Sequence, residues 1–572
     1  SIYKELENIV GAVNIVGGNY FLDPDNNRIP FDLPIVKTGL KIKKNMKVLG
    51  KLVRTEKGKI KAIVQEILGF EDDVKALELS IIREHNLFEN FPSQVVEAEK
   101  KLPKSVSEAQ KKNRLDLTKE TIFTIDGADA KDLDDAVNIK KFENYYELGV
   151  HIADVGEYVK QGNVFDDEAF KRGTSVYFPT SVLPMLPRGL SNGICSLNEG
   201  VERLTLSCIM KVDFSGKVVD YKICESVIKS VARLTYKEVY QALTGGELNE
   251  KTKKLQKDFF LMRELCDILE SNTQKRGALD LDIPEVQFVF DANGMAVDLT
   301  RRERNEAHRL IEDFMVLANE TVAKHFSKLK IPFVYRVHEA PTKEKVLDVC
   351  DFLKGIGVSY PKIPDDIQPS YFQQILENVE NLNTKDVVNK IVLRSMQKAR
   401  YLNKNLGHFG LALKDYCHFT SPIRRYPDLT IHRIIKEWLH KDGKLSEERK
   451  NEIDEFAFEA AEQSSACERN ADYAERDVDD LWKAYLMKDR VGETFDATIS
   501  SVTNFGIFVA LENTVEGLIK IDDLPQDAYL FLDKQLRLKG SMHTYSLGDK
   551  IKVVLKNVNL QSRNIDFKVA EG

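Results

Sequence analysis

No stretch of this 572-residue chain is apolar for the ~20 residues that a bilayer-crossing helix needs. The first residues carry no basic-then-apolar leader. The seven cysteines stand singly, at 195, 208, 224, 266, 350, 417 and 467, with no CxxC pair among them. That excludes a disulfide framework and a zinc knuckle and points to a reducing compartment, so a cytoplasmic protein with no membrane association is expected. Positive charge is not in excess either: 83 Lys and Arg face 90 Asp and Glu, for a net charge of −7. A basic channel can sit inside an acidic shell, so this balance excludes no nucleic-acid partner. With 42% hydrophobic and 30% charged residues the composition is that of an ordinary globular protein. The length asks for roughly three or four domains.

What is present in excess is aspartate, in one place. TIDGADAKDLDDAV (124–137) puts Asp126, Asp129, Asp132, Asp134 and Asp135 within ten residues, after the β-branched run 121–125. Like charges this close raise one another's pKa unless a cation neutralises them. Oxygen donors without His or Cys favour a hard divalent ion, Mg²⁺ or Mn²⁺, over zinc. A calcium loop of the EF-hand kind is a poor match, because Ala136 and Val137 stand where ligand and glycine are needed. The plainer reading is an acidic surface loop; its position between two apolar strands favours the metal site.

Along the rest of the chain, residues 1–75 alternate with period two between turn clusters, which suits a small OB-type barrel that either binds single strands or merely packs. Residues 76–118 become helical and charged. Tyr145 to Val155 reads as a strand carrying His151, a structural hydrogen-bonder or a catalytic group. The shaped loop 172–187 holds Tyr177 and Phe178, which are core residues or platforms for a base. A core-facing helix is expected over 305–329, helical structure over 342–400 around a loop from Pro361 to Pro369, and a long charged helix over 445–488. GHFGLAL (407–413) and HFTSPIRRYPDL (418–429) form a second concentration of chemistry. Of its adjacent arginines, one is expected to clamp phosphate and the other to be structural, for instance Arg425 with Asp428. From 491 the period returns to two, and Phe505 and Phe508 on a second barrel would offer stacking surfaces to single-stranded RNA.

TIDGADAKDLDDAV, HIADV (151–155), RGTSVYFP (172–179), VLPMLP (182–187), LSNGICSL (190–197), GHFGLAL, HFTSPIRRYPDL and AERDV (474–478) resemble the motifs of the RNB exoribonucleases, on the ribonuclease R side of the ribonuclease R/II family. The resemblance spans almost the whole chain. It implies a multidomain α+β protein, with a central mixed α/β catalytic domain over 119–488. All-β OB-fold barrels would flank it, cold-shock type over 1–75 and S1 type over 489–572, with 76–118 as a helical lead-in. It implies a processive 3′-to-5′ hydrolase that releases nucleoside 5′-monophosphates with Mg²⁺ (Mn²⁺ as substitute) in RNA turnover and quality control. Its substrate would be single-stranded RNA or RNA with a 3′ single-stranded overhang, and a monomer is expected.

Carried over by residue, Asp126, Asp132, Asp134 and Asp135 are the metal ligands, with Asp134, Asp135 and Arg424 tied to cleavage and Asp129 a bystander. Tyr177 stacks on the 3′-terminal base, Arg424 grips the phosphate and Glu475 limits how the RNA end sits. Three departures stand out. Leu281 follows RGALD (276–280) where the family has phenylalanine, so the base would pack on leucine. A preceding cold-shock barrel and a lysine-rich tail are absent, and a shortened form is expected. The competing readings are a non-catalytic OB-fold RNA-binding protein with a degenerate nuclease core, which would be expected to lose the acidic quartet, and a different metal-dependent phosphohydrolase.

Overall fold

Alternating burial near the N-terminus closes a five-stranded barrel. The computed structural model describes residues 8–26, 28–36, 39–54, 59–279, 286–302, 304–379 and 385–570. β1 (Asn8–Val16), β2 (Asn19–Pro24), β3 (Leu33–Val36), β4 (Met46–Arg54) and β5 (Ile60–Phe70) run in the order β1-β2-β3-β5-β4, β1 closing on β4. The β1–β2 hairpin turns on Gly17 and Gly18, both at positive φ, as a tight two-residue hairpin requires. Ile9, Val13, Leu22, Leu33, Val48, Ala62 and Val64 fill the barrel. α1 (Val74–Glu84) follows, capped by the Asp73 side chain on Lys75 N–H.

The centre of the molecule is a seven-stranded sheet. Its strands are β6 (Leu115–Leu117), β7 (Phe123–Asp126), β8 (Asp135–Lys141), β9 (Tyr145–Ala153), β12 (Glu202–Asp213), β13 (Val218–Lys229) and β14 (Ala232–Thr235), in the order β14-β7-β8-β9-β12-β13-β6. The middle is an antiparallel meander, and the two outermost pairings, β14 with β7 and β6 with β13, are parallel. Between β9 and β12 lie α2 (Val164–Arg172) and a short hairpin, β10 (Val176–Tyr177) with β11 (Val182–Leu183).

Both faces of the sheet are covered. Phe123, Ile125, Val137, Leu148, Val150, Ile152 and Leu206 pack on α3 (Glu250–Arg276) and α4 (Glu306–Leu329). Ala136 and Ala153 face a second core with Leu133, Phe165, Leu186, Tyr426 and Leu429, the last two from α5 (Tyr426–His440). α6 (Glu447–Met487) is 41 residues long and buries an Ala-rich stripe, Ala457, Ala460, Ala461, Ala471 and Ala474, that lets neighbouring elements approach closely. The last barrel, β15 (Thr494–Thr503), β16 (Gly506–Leu511), β17 (Glu516–Lys520), β18 (Lys550–Asn559) and β19 (Asn564–Val569), closes in the order β15-β16-β17-β19-β18. A mixed α/β centre between two all-β barrels is thus the observed architecture, as expected. The helix over 305–329 forms with Asn305 as its N-cap, and the long helix of 445–488 is α6.

Candidate active site

Asp126 ends β7 and Asp135 begins β8, so the acidic stretch is one strand end, a loop and the next strand start. The loop is held from afar. Ser196 Oγ donates to Lys131 O (2.7 Å) and accepts the Leu133 N–H (3.1 Å), while Leu197 N–H donates to Leu133 O (3.0 Å). The Arg233 guanidinium donates to the carbonyls of Ala128 and Ala130. Leu133 is fully buried, which pins the aspartates on either side of it.

Asp134 is only 4% exposed. Its Oδ1 accepts the Ile423 N–H at 2.8 Å, and its Oδ2 lies 3.6 Å from Arg424 Nε. Among the described residues, Asp134 Oδ2 and Asp126 Oδ2 are buried without a hydrogen-bond partner. Burial pushes the Asp126 carboxyl up to about 8, with repulsion from Asp135 and Asp132 adding to it. Burial raises Asp135 to about 6 against the pull of Arg424 and Arg425. It drives Asp134 well above the carboxylate range, with Arg424 again opposing.

Three carboxyls drawn wholly or partly out of water, with Arg424 and more weakly Arg425 and Arg233 opposing their charge, form an under-neutralised site. The orphaned oxygens and the all-oxygen donor set fit a hard divalent ion. Among the described residues, the groups that draw three donor atoms within 4.8 Å of one another are Asp154–Glu157–Glu225 and Cys266–Glu270–Asp313, and the aspartates of the acidic loop are not drawn together that closely. The first is already neutralised by Arg114 and Lys436. In the second, Cys266 Sγ donates to Asp313 Oδ2 (3.1 Å) and Glu270 faces Arg309.

Of the adjacent arginines, Arg425 makes the structural pair with Asp428. Arg425 NH2 donates to Asp428 Oδ1 (2.8 Å), which also accepts the Ser421 N–H (2.8 Å), so Arg425 is tied into the fold. Arg424 NH2 donates to Ser421 Oγ (3.0 Å), and its Nε faces Asp134. Phe178 is buried core, but Tyr177 beside it is 42% exposed. Tyr177 reaches the acidic loop through its hydroxyl, 3.4 Å from Asp132 Oδ2, and its N–H donates to Glu475 Oε1 of α6 at 2.7 Å. Burial pushes the Glu475 carboxyl up to about 7.

His151 takes the structural role: it is buried, with Nδ1 2.7 Å from Ser207 Oγ and Nε2 3.0 Å from Asn138 Oδ1. Phe505 and Phe508 stand on the second barrel, edge to face with centroids 6.2 Å apart, rather than at the acidic loop. Leu281 and the preceding Asp280 lie outside the described residues. Ser196, Arg233 and the Ile423 N–H hold the loop and its aspartates in place and are roles that local sequence reading passes over, although Ser196 lies in LSNGICSL and Ile423 in HFTSPIRRYPDL.

Residues 114–441, more than half of the chain, match the RNB domain family. Residues 488–570 match the S1 RNA binding domain and 21–92 the cold shock domain. "Ribonuclease R 1" of Lactococcus lactis is 40% identical over 557 residues, covering 96% of this chain and 68% of that protein. The chain belongs to the ribonuclease R family. Ribonuclease R of Thermotoga maritima is 39% identical over 99% of this chain and 81% of its own length. The structure of Mycoplasma genitalium RNase R in complex with ribose-methylated single-stranded RNA superposes with a TM-score of 0.92 at 29% identity, over 99% of this chain and 90% of that one. Membership makes the chain an enzyme, a 3′-to-5′ exoribonuclease of a metal-dependent nuclease family. Among the described residues no helix is long and apolar enough to cross a membrane.

Proposed function

We propose that RNA reaches the 126–135 loop 3′ end first and is hydrolysed there one nucleotide at a time, releasing nucleoside 5′-monophosphates. The observation that carries this is a cluster of carboxyls, Asp134 buried and facing Arg424, with orphaned buried oxygens on Asp134 and Asp126 and an exposed Tyr177 alongside. Asp126, Asp132, Asp134 and Asp135 would hold Mg²⁺, with Mn²⁺ as a substitute. A pair of such ions, when bound, supplies an activated water and offsets charge on the departing 3′ oxygen.

The chain's own residues do the rest. Arg424 offsets charge on the scissile phosphate. Tyr177 stacks on the terminal base and so presents one bond per cycle. Glu475 fixes Tyr177 through its backbone, Leu281 packs on the same base, and Phe505 and Phe508 stack on single-stranded RNA upstream. The working parts divide as a cold-shock-type barrel (1–75), a lead-in (76–118), the catalytic domain (119–488) and the S1 barrel (489–572). The substrate is single-stranded RNA or RNA with a 3′ overhang, handled by a cytoplasmic monomer in RNA turnover and quality control.

A 5′-labelled single-stranded RNA resolved on a sequencing gel tests the reading. Progressive shortening from the 3′ end is expected with Mg²⁺ and none with chelator. Asp134→Asn should lose at least about a thousandfold in kcat while still shifting the RNA on a native gel. Cleavage by Asp134→Asn at near the wild-type rate would remove Asp134 from the site, and RNA that is shifted but never cut by the wild type would leave a binding protein.

A further inference from the structure

Glu78 lies on α1, outside the acidic loop and the arginine motif, and is only 6% exposed. A buried carboxylate is costly unless a partner occupies it. The hydroxyl of Thr180 donates to Glu78 Oε1, and Trp482 of α6 and Lys75 of α1 also act on this carboxyl. Thr180 sits at the tip of the β10–β11 hairpin, in the turn closed by Phe178 N–H to Ser181 O (2.8 Å) and Ser181 N–H to Phe178 O (3.3 Å). That hairpin carries Tyr177.

With two residue pairs, Val176 with Leu183 and Tyr177 with Val182, the hairpin is too small to hold its own orientation. Its orientation comes from outside ties. Ser175 N–H to Arg424 O (3.0 Å) and the Tyr177 hydroxyl near Asp132 Oδ2 (3.4 Å) join it to the active-site loops. Glu475 of α6 holds the Tyr177 N–H. Glu78 holds the tip. At the base, the Arg172 guanidinium donates to Phe88 O (3.0 Å), Asn90 O (3.0 Å) and Pro184 O (3.2 Å) and lies 4.0 Å over the Phe91 ring. The ties at the tip and at Arg172 thus run to residues 78–91, the segment that follows the first barrel. The packing agrees: Val176, Phe178 and Leu183 share one core with Val74, Leu77, Ile81 and Ile82 of α1.

We infer that Glu78 is a positioning residue for the exonuclease: through Thr180 it fixes the hairpin that presents Tyr177, so the segment after the first barrel helps to set where the RNA 3′ end is held. This rests on the reading of Tyr177 as the stacking residue.

The test uses the full chain with Thr180→Val, Glu78→Ala, Glu78→Gln, the Thr180→Val/Glu78→Ala double variant, and Tyr177→Ala as benchmark. Thr180→Val removes one hydroxyl at an exposed turn and keeps the shape, so it probes the tie without unsettling α1. The readouts are the length of the limit oligonucleotide and the separate kcat and KM on a short 5′-labelled RNA. Thr180→Val and Glu78→Ala should each lengthen the limit product in the same direction as Tyr177→Ala. Each should raise KM about three- to tenfold, and the double variant should be no worse than either single one. Glu78→Gln, which keeps an acceptor, should return the limit length to that of the wild type. Wild-type limit length and KM in both Thr180→Val and Glu78→Ala, with Tyr177→Ala lengthened, would overturn the inference. An unchanged product from Tyr177→Ala would instead overturn the stacking reading beneath it.

Discussion

Arg424 and Arg425 are chemically identical neighbours with opposite fates. Arg425 finds Asp428 three residues on, a partner legible in the sequence. Arg424 finds Asp134, almost three hundred residues back, and no local pattern carries that pairing. The same holds for the acidic loop: its composition announces a cation, but Ser196 and Arg233, which shape it, are legible only once the sheet is assembled. The burial of these carboxyls has a consequence for pH. A carboxyl whose pKa is raised by folding keeps its proton in the folded chain after the unfolded chain has lost it. Without divalent ions, stability should therefore fall as pH rises from the ordinary carboxylate range through about 6 for Asp135 and about 8 for Asp126. Thermal melts in chelator should show the wild type losing more between pH 5 and pH 8 than Asp126→Asn, and added Mg²⁺ should restore it at pH 8. Equal slopes in the two proteins would mean that Asp126 is ionised at no special cost.

The hairpin and α6 meet at Gly173. A Cβ there would stand 2.5 Å from Cys467 Cβ and 2.8 Å from its Sγ, and the residue sits at φ +66°, where a side chain is strained in any case. Gly173→Ala should lower the melting temperature by on the order of 5 °C. It should also disturb the limit product, because residue 173 lies just before the Tyr177 hairpin. A variant with an unchanged melt would show that α6 yields at this point. At this scale the sequence is informative where periodicity is long: the helix after Asn305, α6 and both barrels follow from spacing alone. α3 carries the same helical spacing in Leu255, Phe259, Met262, Cys266 and Leu269, hidden by interleaved charges. The order of the central sheet is not legible, since β14 pairs with β7 and β6 with β13 across about a hundred residues.

Two parts of the molecule, the end of α1 and the last barrel, converge on Asp477 of α6. His85, which caps the end of α1, lies 3.1 Å from its Oδ2, and Arg563 of the last barrel lies 3.7 Å from its Oδ1. Asn470, two turns earlier, donates to His85 O at 2.9 Å. Burial alone would lower the His85 pKa, but its hydrogen bonds to Asp477 and Asn470 outweigh that and raise it. A histidine raised by folding stabilises fully below its unfolded value and loses that contribution as pH climbs through the folded one. With Mg²⁺ present to quiet the acidic loop, His85→Gln should therefore melt about 2 °C below the wild type at pH 6 and level with it well above neutral pH. A gap that persists at high pH would assign the effect to packing. The same turn of helix that meets α1 and the last barrel also carries Glu475, about 3 Å away along the axis and on the opposite face. The consequence is mechanical. A pull on α1 or on the last barrel reaches the turn of helix whose other side holds the Tyr177 N–H.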